Sequence, residues 1–385
     1  MEEKPFKCER CGRCFKLKCH LSNHLRRKKP CKKMLKAISL FSGMGGDSLG
    51  IHNCGIELVA YSEINPEFQT THELNFPDSK LIGNGDITKT SDIDFSIYKN
   101  KIDLIFAGFP CQGFSQAGKK LPDDPRNTLF REFLRATQLI NPDYIIGENV
   151  KGLLKRTTLE GEFYINIIVK EFEDIGYDVK YETLLCSEYD IPQKRERVVI
   201  IGVKKTLNKK ITFPNKSKKS VDLLNIIEFD MTGTIKIEES LVTELEIPDE
   251  CIIVNMENDE DENKPHPNLK SIVTDKNYHY KNKHYPNRLS FGKRIPVGGE
   301  IIDIRNPCKT IICSYARQPR LFIIQKNNRG YFLRCLLPDE LKQIQGFPKD
   351  YKLHGKVSDQ IVQIGNAVPP ILIQKIISNI IINKN

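Results

Sequence analysis

The chain has 385 residues, too many for one module at roughly 100–200 residues per domain, so we expect two or three domains. Its 39% hydrophobic and 28% charged content is typical of a globular protein and excludes disordered, collagenous and coiled-coil chains. The sequence has no run of about 20 apolar residues and no signal-peptide core at its start. We therefore expect a soluble, intracellular protein with no membrane partner.

The formal net charge of +10 comes from one short segment. Residues 1–36 contain 13 Lys and Arg but only three Glu, which leaves the remainder of the chain with equal numbers of cations and carboxylates. Such a basic arm indicates a partner with a phosphate backbone, although a solvated lysine run is the commoner explanation.

The cysteines of the same segment favour the first explanation. Cys8 and Cys11, followed by Phe15, Leu21 and His24, have the spacing of a ββα zinc finger. A second histidine is missing at the usual distance, so Cys31 is the next candidate ligand. The ending HLRRKKPC resembles the CCHC fingers of large DNA virus proteins. We predict one structural Zn²⁺ on Cys8, Cys11, His24 and Cys31, and a helix whose base-facing positions are Leu17, His20 and Asn23.

From Met34 onward, short β-branched runs alternate with helix-length segments. The runs predict strands near 36–41, 57–62, 102–107, 143–147, 178–185 and 197–203, with helices near 127–140 and 160–175 between them. This alternation predicts an α/β fold with a doubly wound, mostly parallel sheet. Residues 206–330 lose the rhythm and predict a smaller, loop-rich domain or an insertion.

The first strand leads into the glycine turn FSGMGG, the usual place to hold a nucleoside at a sheet's carboxyl edge. Glu63 ends the second strand, where a carboxylate can bind both hydroxyls of a ribose. Asp86 follows a further helix and could accept a hydrogen bond from an adenine amine. Together these residues predict an adenosine-containing cofactor without a diphosphate.

Three further segments predict a reactive thiol at the same edge. Cys111 follows the third strand within GFPCQGFS, Glu148 ends the fourth strand, and Arg195 and Arg197 begin the sixth. A buried, inert cysteine is the usual alternative for any single thiol. A carboxylate and two guanidiniums converging on the thiol would instead make an active site.

At this point the sequence resembles the cytosine-5 DNA methyltransferases. FSGMGG, GFPCQGFSQAG, ENV, QKRERV, RCLLPDELKQIQGFP and QIGNAVPP occur in that family's order over about 36–205 and 331–385. One departure is Leu337, where the family usually has threonine.

The resemblance implies a mechanism in which the thiolate of Cys111 adds to carbon 6 of a flipped-out cytosine. Glu148 would contact ring nitrogen 3 and the exocyclic amine, Arg197 would contact the carbonyl oxygen, and Arg195 would lie beside it. The resemblance also implies an S-adenosyl-L-methionine site, closed by Asn366 and lined by Phe41, Met44, Gly46, Glu63, Ile64, Asp86, Ile87, Pro110 and Leu129.

We therefore expect a zinc finger at 1–33, a catalytic and cofactor-binding domain at 34–205, a target-recognition domain at 206–357 and a returning C-terminal segment at 358–385. The expected function is DNA (cytosine-5)-methyltransferase acting on double-stranded DNA as a monomer. Two alternatives stay open: a tRNA cytosine-5 methyltransferase and a catalytically silent DNA-binding protein.

Overall fold

The computed structural model describes residues 6–8, 10–31, 33–110, 129–258, 264–274, 278–280, 283–285, 289–293 and 298–382. The predicted nucleophile Cys111 lies outside the described residues, in the segment 111–128.

The N-terminal segment forms a ββα unit from strands β1 (Phe6–Lys7) and β2 (Cys14–Phe15) and helix α1 (Lys18–Leu25). The two strands pair antiparallel, and Gly12 makes the turn between them with a φ of 71°. Its backbone N–H donates to the carbonyl of Cys8 over 2.8 Å. Helix α1 begins one residue after Leu17, as expected for a finger of this spacing.

The centre of the molecule is a seven-stranded sheet in the order β5-β4-β3-β6-β7-β10-β8. The strands from β3 to β10 are Lys36–Leu40, Glu57–Ser62, Lys80–Leu81, Leu104–Ala107, Tyr144–Val150, Tyr177–Leu185, Gln193–Lys194 and Glu196–Lys204; the seventh of these, β9, lies outside the sheet. Strand β10 runs antiparallel to β7 and β8, whereas the pairs from β5 to β7 are parallel. The predicted strands and the mostly parallel sheet are confirmed.

Helices cover both faces of this sheet. They are α2 (Gly46–Asn53), α3 (Pro66–Asn75), α4 (Asp92–Ser96), α5 (Phe130–Ile140) and α6 (Tyr164–Asp174). Neighbouring residues of β3 enter different cores, because side chains alternate along a strand. Ala37 packs with Ile51 and the C-terminal helices, whereas Ile38 packs with Phe133 and Ile168 of the opposite layer.

Residues 206–330 are more regular than the predicted loop-rich domain. A six-stranded sheet has the order β11-β19-β18-β16-β15, with β12 added parallel to β18. The elements from β11 to β19 are β11 (Ile235–Ile237), α7 (Glu239–Glu244), β12 (Ile252–Val254), α8 (Pro267–Thr274), β13 (Tyr278–Tyr280), β14 (Lys283–Tyr285), β15 (Leu289–Phe291), β16 (Gly299–Ile301), β17 (Cys308–Lys309), β18 (Leu321–Asn327) and β19 (Gly330–Cys335). Most of these strands have only two or three residues, too few to show periodicity in the sequence.

The chain ends in α9 (Pro338–Ile344), α10 (Val357–Asn366) and α11 (Pro370–Ile377), followed by a π-helical turn at Ser378–Ile382. The stretch Val357–Ile382 is apolar and long enough to cross a membrane, but 61% of its most apolar window is buried. Helix α11 packs on α2, where Gly50 leaves room for Ile373. This burial is the behaviour of a core helix and returns the C-terminus to the large sheet.

Candidate active site and metal cluster

The carboxyl edge of the large sheet brings together the ends of its central strands. Leu40 pairs with Ser62 and Ala107, and Ala107 pairs with Gly147, so the residues that follow them meet at one edge. Strand β10 is reversed, and its first residues therefore reach the same edge: Arg197 pairs with Val150. The turn, the acid and the guanidinium predicted from three separate motifs thus lie along one line.

The glycine turn is held to Glu63, which lies directly after β4. The Gly43 N–H donates to Glu63 Oε2 and the Asn65 N–H donates to Oε1, each over 2.8 Å. Burial raises the pKa of the Glu63 carboxyl, and these backbone N–H groups partly oppose the rise. Each carboxylate oxygen of Glu63 keeps a lone pair that could accept a hydrogen bond from a hydroxyl group. Phe41, at the start of the turn, is half-buried and has a φ of 57°.

The other predicted cofactor residues beside Glu63 differ in exposure. Ile64 is 67% exposed and Ile87 is buried. Asp86 accepts from the Thr88 hydroxyl over 2.7 Å and pairs with Lys89 at 3.2 Å, which lowers the pKa of its carboxyl. Asp86 therefore stays ionised and able to accept a hydrogen bond at neutral pH.

Met44 and Gly46 lie deeper than the sequence indicated. The Met44 side chain is fully buried in the core, and its carbonyl accepts a hydrogen bond from the Tyr351 hydroxyl. A Cβ added at Gly46 would stand 2.0 Å from the carbonyl oxygen of Val368. Any part that these two residues play at a cofactor site is therefore through the backbone of the turn.

The remaining predicted cofactor residues are Pro110, Leu129 and Asn366. Pro110 is the last residue described before that segment, and Leu129 is the first described after it and precedes α5. Asn366 ends α10 with its side chain exposed.

The acid and one guanidinium of the predicted catalytic group form an ion pair. Arg197 Nε lies 2.8 Å from Glu148 Oε1, and their side chains are only 12% and 9% exposed. Asn149 donates its amide to the carbonyl of Phe109 over 3.2 Å, which fixes the backbone two residues before Cys111. The carboxyl edge of the sheet therefore carries a shielded carboxylate with one cationic partner.

Arg195 points away from this pair. Its guanidinium donates to the carbonyls of Ile311 and Ala367 over 3.0 Å and to that of Gly365 over 3.2 Å. Burial, together with the nearby Arg197 charge, lowers the pKa of Arg195 to about 9. Arg195 thus joins the sheet to the second domain and to the C-terminal motif.

A second cluster lies in the ββα unit. The ligand atoms of Cys8, Cys11, His24 and Cys31 all lie within 4.8 Å of one another. The Cys8 and Cys31 sulfurs are 3.8 Å apart, and Cys11 Sγ is 3.3 Å from His24 Nε2. All four predicted ligands are therefore brought together, while Cys14 and Cys19 are exposed outside the cluster.

Several residues of the edge were missed by the sequence-based prediction. Gln193 accepts the Ile311 N–H and donates to Gln345, which in turn donates to the carbonyl of Ala367. Asp47 accepts from Ser39 beneath the glycine turn, and burial raises the pKa of its carboxyl to about 7. The sequence signal was a polar residue inside a motif for Gln193 and directly after one for Asp47.

Comparison with known proteins agrees with this geometry. A model of the C-5 cytosine-specific DNA methylase family matches residues 35–382. The type II methyltransferase M1.HphI of Haemophilus parahaemolyticus is 33% identical over 349 residues, covering 89% of this chain and 85% of the relative. M.DdeI of Desulfomicrobium norvegicum is 29% identical over 394 residues, covering 90% and 88%.

Among solved structures, the Entamoeba histolytica methyltransferase EhMeth has a similar fold, with a TM-score of 0.60 at 16% identity over 91% of this chain and 98% of that one. Fold and site thus define a methyltransferase with a mixed α/β sheet. The chain belongs to the C-5 cytosine-specific DNA methylase family and is a DNA (cytosine-5)-methyltransferase. Membership confirms the resemblance and implies S-adenosylmethionine as the methyl donor.

Proposed function

We propose that the enzyme methylates carbon 5 of a cytosine swung out of double-stranded DNA, through a covalent adduct with Cys111. The observation that carries this proposal is the shielded Glu148–Arg197 pair, 2.8 Å apart at the sheet edge where the Cys111 loop begins. Carbon 5 of cytosine is a poor nucleophile. The Cys111 thiolate adds to carbon 6 and forms a carbon–sulfur bond, which gives the ring enamine character.

In this proposal Glu148 holds the proton that ring nitrogen 3 needs as negative charge develops there. Arg197 orients Glu148 and contacts the base carbonyl, while Asn149 steadies the loop through Phe109. When bound, S-adenosylmethionine would supply an electrophilic methyl group on a sulfonium. Carbon 5 would take this methyl group as the methyl–sulfonium bond breaks and a neutral thioether leaves. Loss of the carbon 5 proton and release of the thiolate would then restore the aromatic ring.

The cofactor would rest against Phe41, with Glu63 accepting its ribose hydroxyls and Asp86 its adenine amine. The chemistry of Glu63 suits a ribose. Its carboxylate is buried directly after a strand, and each oxygen keeps a lone pair besides the hydrogen bond that it accepts from a backbone N–H. Arg195 serves in this scheme as a positioning residue. We assign residues 34–205 and 358–385 to catalysis and residues 206–357 to target recognition. Because one chain supplies both parts of the site, we expect the monomer to be active. We expect it to act inside the cell.

The test is bisulfite sequencing of unmethylated DNA after exposure to the protein, followed by trapping on a duplex that carries 5-fluorocytosine at the site found. Wild type should form a covalent complex, because fluorine at carbon 5 prevents release of the thiolate. Cys111→Ser should form none while keeping its affinity for the duplex. A serine variant that still forms the adduct would contradict the role of Cys111.

Measurements on the same protein preparation distinguish two rival functions. Methyl transfer to tRNA rather than to duplex DNA would identify an RNA enzyme. Duplex binding with neither methylation nor trapping would identify a silent DNA-binding protein.

We also propose that Cys8, Cys11, His24 and Cys31 bind one structural Zn²⁺ in a CCHC finger. Tetrahedral zinc with bonds of about 2.3 Å places two sulfurs about 3.8 Å apart, which matches the spacing of Cys8 and Cys31. The finger has few buried apolar residues, so bound metal must provide its folding energy.

A chelator should release one zinc per chain and unfold only the finger. Proteolysis should then cut within residues 1–33, while the thermal transition of the remaining chain stays unchanged. Cys31→Ser should lower the zinc content, whereas Cys14→Ser, outside the cluster, should not. A finger that keeps its structure without metal would contradict the zinc proposal.

A further inference from the structure

The finger lies at the edge of the large sheet opposite to the candidate active site. Cys31 precedes the first residue of β3 by five positions. Lys33 Nζ pairs with Asp103 Oδ1 at 2.6 Å, and the Lys36 N–H donates to Asp103 Oδ2 over 2.8 Å. Asp103 directly precedes β6, so these contacts lie at the amino ends of β3 and β6. Glu63 and Glu148 lie at the carboxyl ends.

Further contacts join the finger to the linker that precedes β3. The Met34 N–H donates to the carbonyl of Arg10 over 2.6 Å, and Arg10 Nε donates to the carbonyl of Cys31 over 2.7 Å. These bonds tie the linker to the metal-binding turn. The chain rises about 16 Å from Lys36, at the start of β3, to Phe41, directly after its end. The length of the strand therefore separates the finger from the candidate active site.

The finger carries unneutralised positive charge. Seven of its exposed cations are Arg13, Lys16, Lys18, Arg26, Arg27, Lys28 and Lys29. Within the described part of the chain, none of these seven forms an ion pair with a carboxylate. The remainder of the protein has equal numbers of acidic and basic residues, so the net charge of +10 is concentrated on this side. Such a surface suits a polyanion with closely spaced charges.

We infer that the finger binds a second segment of duplex DNA, separate from the duplex at the active site. This inference rests on the proposed function, because it assumes that the target duplex lies over the carboxyl edge. Bending a 20–30 base-pair site by 40–90° already costs about 1–6 kcal/mol. Turning one duplex back to the opposite edge costs more, so one short duplex does not reach both surfaces. Each enzyme molecule therefore bridges two DNA segments.

Bridging gives the enzyme a tether during its search for sites. The finger holds one segment, and the active site then samples neighbouring segments at an effective concentration that is in the millimolar range for short linkages. Finger contacts to phosphates carry no sequence information, so the methylated sequence is set elsewhere.

The experiment uses full-length protein trapped on a short, unlabelled 5-fluorocytosine duplex, so that every active site is filled. A labelled duplex without the target site is then added. Anisotropy measures its binding, and mass photometry counts duplexes per protein. We expect one protein with two duplexes, and binding of the second duplex that weakens steeply with salt. A trapped complex that excludes the labelled duplex would overturn the inference.

The informative variant replaces Arg26, Arg27, Lys28 and Lys29 with alanine, and its zinc content shows whether the finger is still folded. Its affinity for the labelled duplex should fall at least about tenfold. The control is Lys99→Ala with Lys101→Ala, which removes exposed cations near the same edge outside the finger and should leave binding unchanged. Equal binding by the finger variant would contradict the assignment, as would displacement of the duplex by lower concentrations of single-stranded RNA.

Failure of the proposed function gives a different result. If no covalent complex forms, the two-duplex measurement is made on free protein, with donor and acceptor dyes on separate duplexes. Energy transfer that depends on the finger cations then supports bridging without methylation. Its absence in wild type overturns bridging.

Discussion

Arg195 and Arg197 are two positions apart but serve different surfaces. A regular strand would direct both side chains to the same face. The Arg195 N–H instead donates to the carbonyl of Gln193 over 2.9 Å, a tight turn before β10 begins at Glu196. This turn directs Arg195 into the junction of three chain segments and leaves Arg197 beside Glu148. The motif QKRERV identifies both arginines, but only the turn separates their roles.

Substituting lysine at each position should separate these roles. Lysine keeps the charge but loses the planar set of donors. Arg195→Lys leaves buried carbonyls without donors, so its free energy of unfolding should fall by about 2–4 kcal/mol. Arg197→Lys should lower kcat for methyl transfer while its unfolding stays within about 1 kcal/mol of wild type. Urea denaturation and transfer of a radiolabelled methyl group measure both. A stable but inactive Arg195→Lys enzyme would instead assign Arg195 to catalysis.

At the scale of elements, the main strands of the large sheet could be predicted and those of the second sheet could not. The runs at 36–41, 57–62 and 197–203 are mostly apolar and largely buried on both faces, so their composition predicts strands. The composition does not predict the direction of a strand, because a parallel and an antiparallel strand can have the same hydrophobic composition. The antiparallel direction of β10 is nevertheless what brings Arg197 to the edge where Glu148 lies. Most strands of the second sheet were missed because they have only three residues, too few to show periodicity in the sequence.

The contact between the glycine turn and the C-terminal motif also joins distant elements. A Cβ at Gly46 would meet the Val368 carbonyl oxygen at 2.0 Å, whereas a Cβ at Gly108 would meet the Val368 side chain at an ordinary 3.5 Å. Gly46→Ala should therefore destabilise the protein by about 3 kcal/mol and weaken S-adenosylmethionine binding, because the backbone of the turn must shift. Gly108→Ala should cost less than about 1 kcal/mol. Urea denaturation and calorimetric titration provide the measurements; similar results for both variants would contradict the close-contact argument.

The candidate active site, the apolar core and the net positive charge occupy different regions of the molecule. One apolar core continues from the large sheet into the second sheet and the C-terminal helices. It includes Ile146 of β7, Ile324 of β18 and Ile373 of α11. The candidate active-site edge could be predicted because each motif ends or begins a strand. The network of Gln193, Gln345 and Ala367 could not, since its members are far apart in the sequence.

Removal of residues 1–33 should therefore weaken DNA binding without changing the methylated sequence. The segment carries most of the unneutralised cations, and each lost phosphate contact reduces the magnitude of the slope of log affinity against log salt by about 0.9. On long DNA we expect the truncated enzyme to show lower affinity and a flatter slope. Bisulfite sequencing should find the same site, because the target-recognition region is intact. A changed site would mean that Leu17, His20 or Asn23 reads bases.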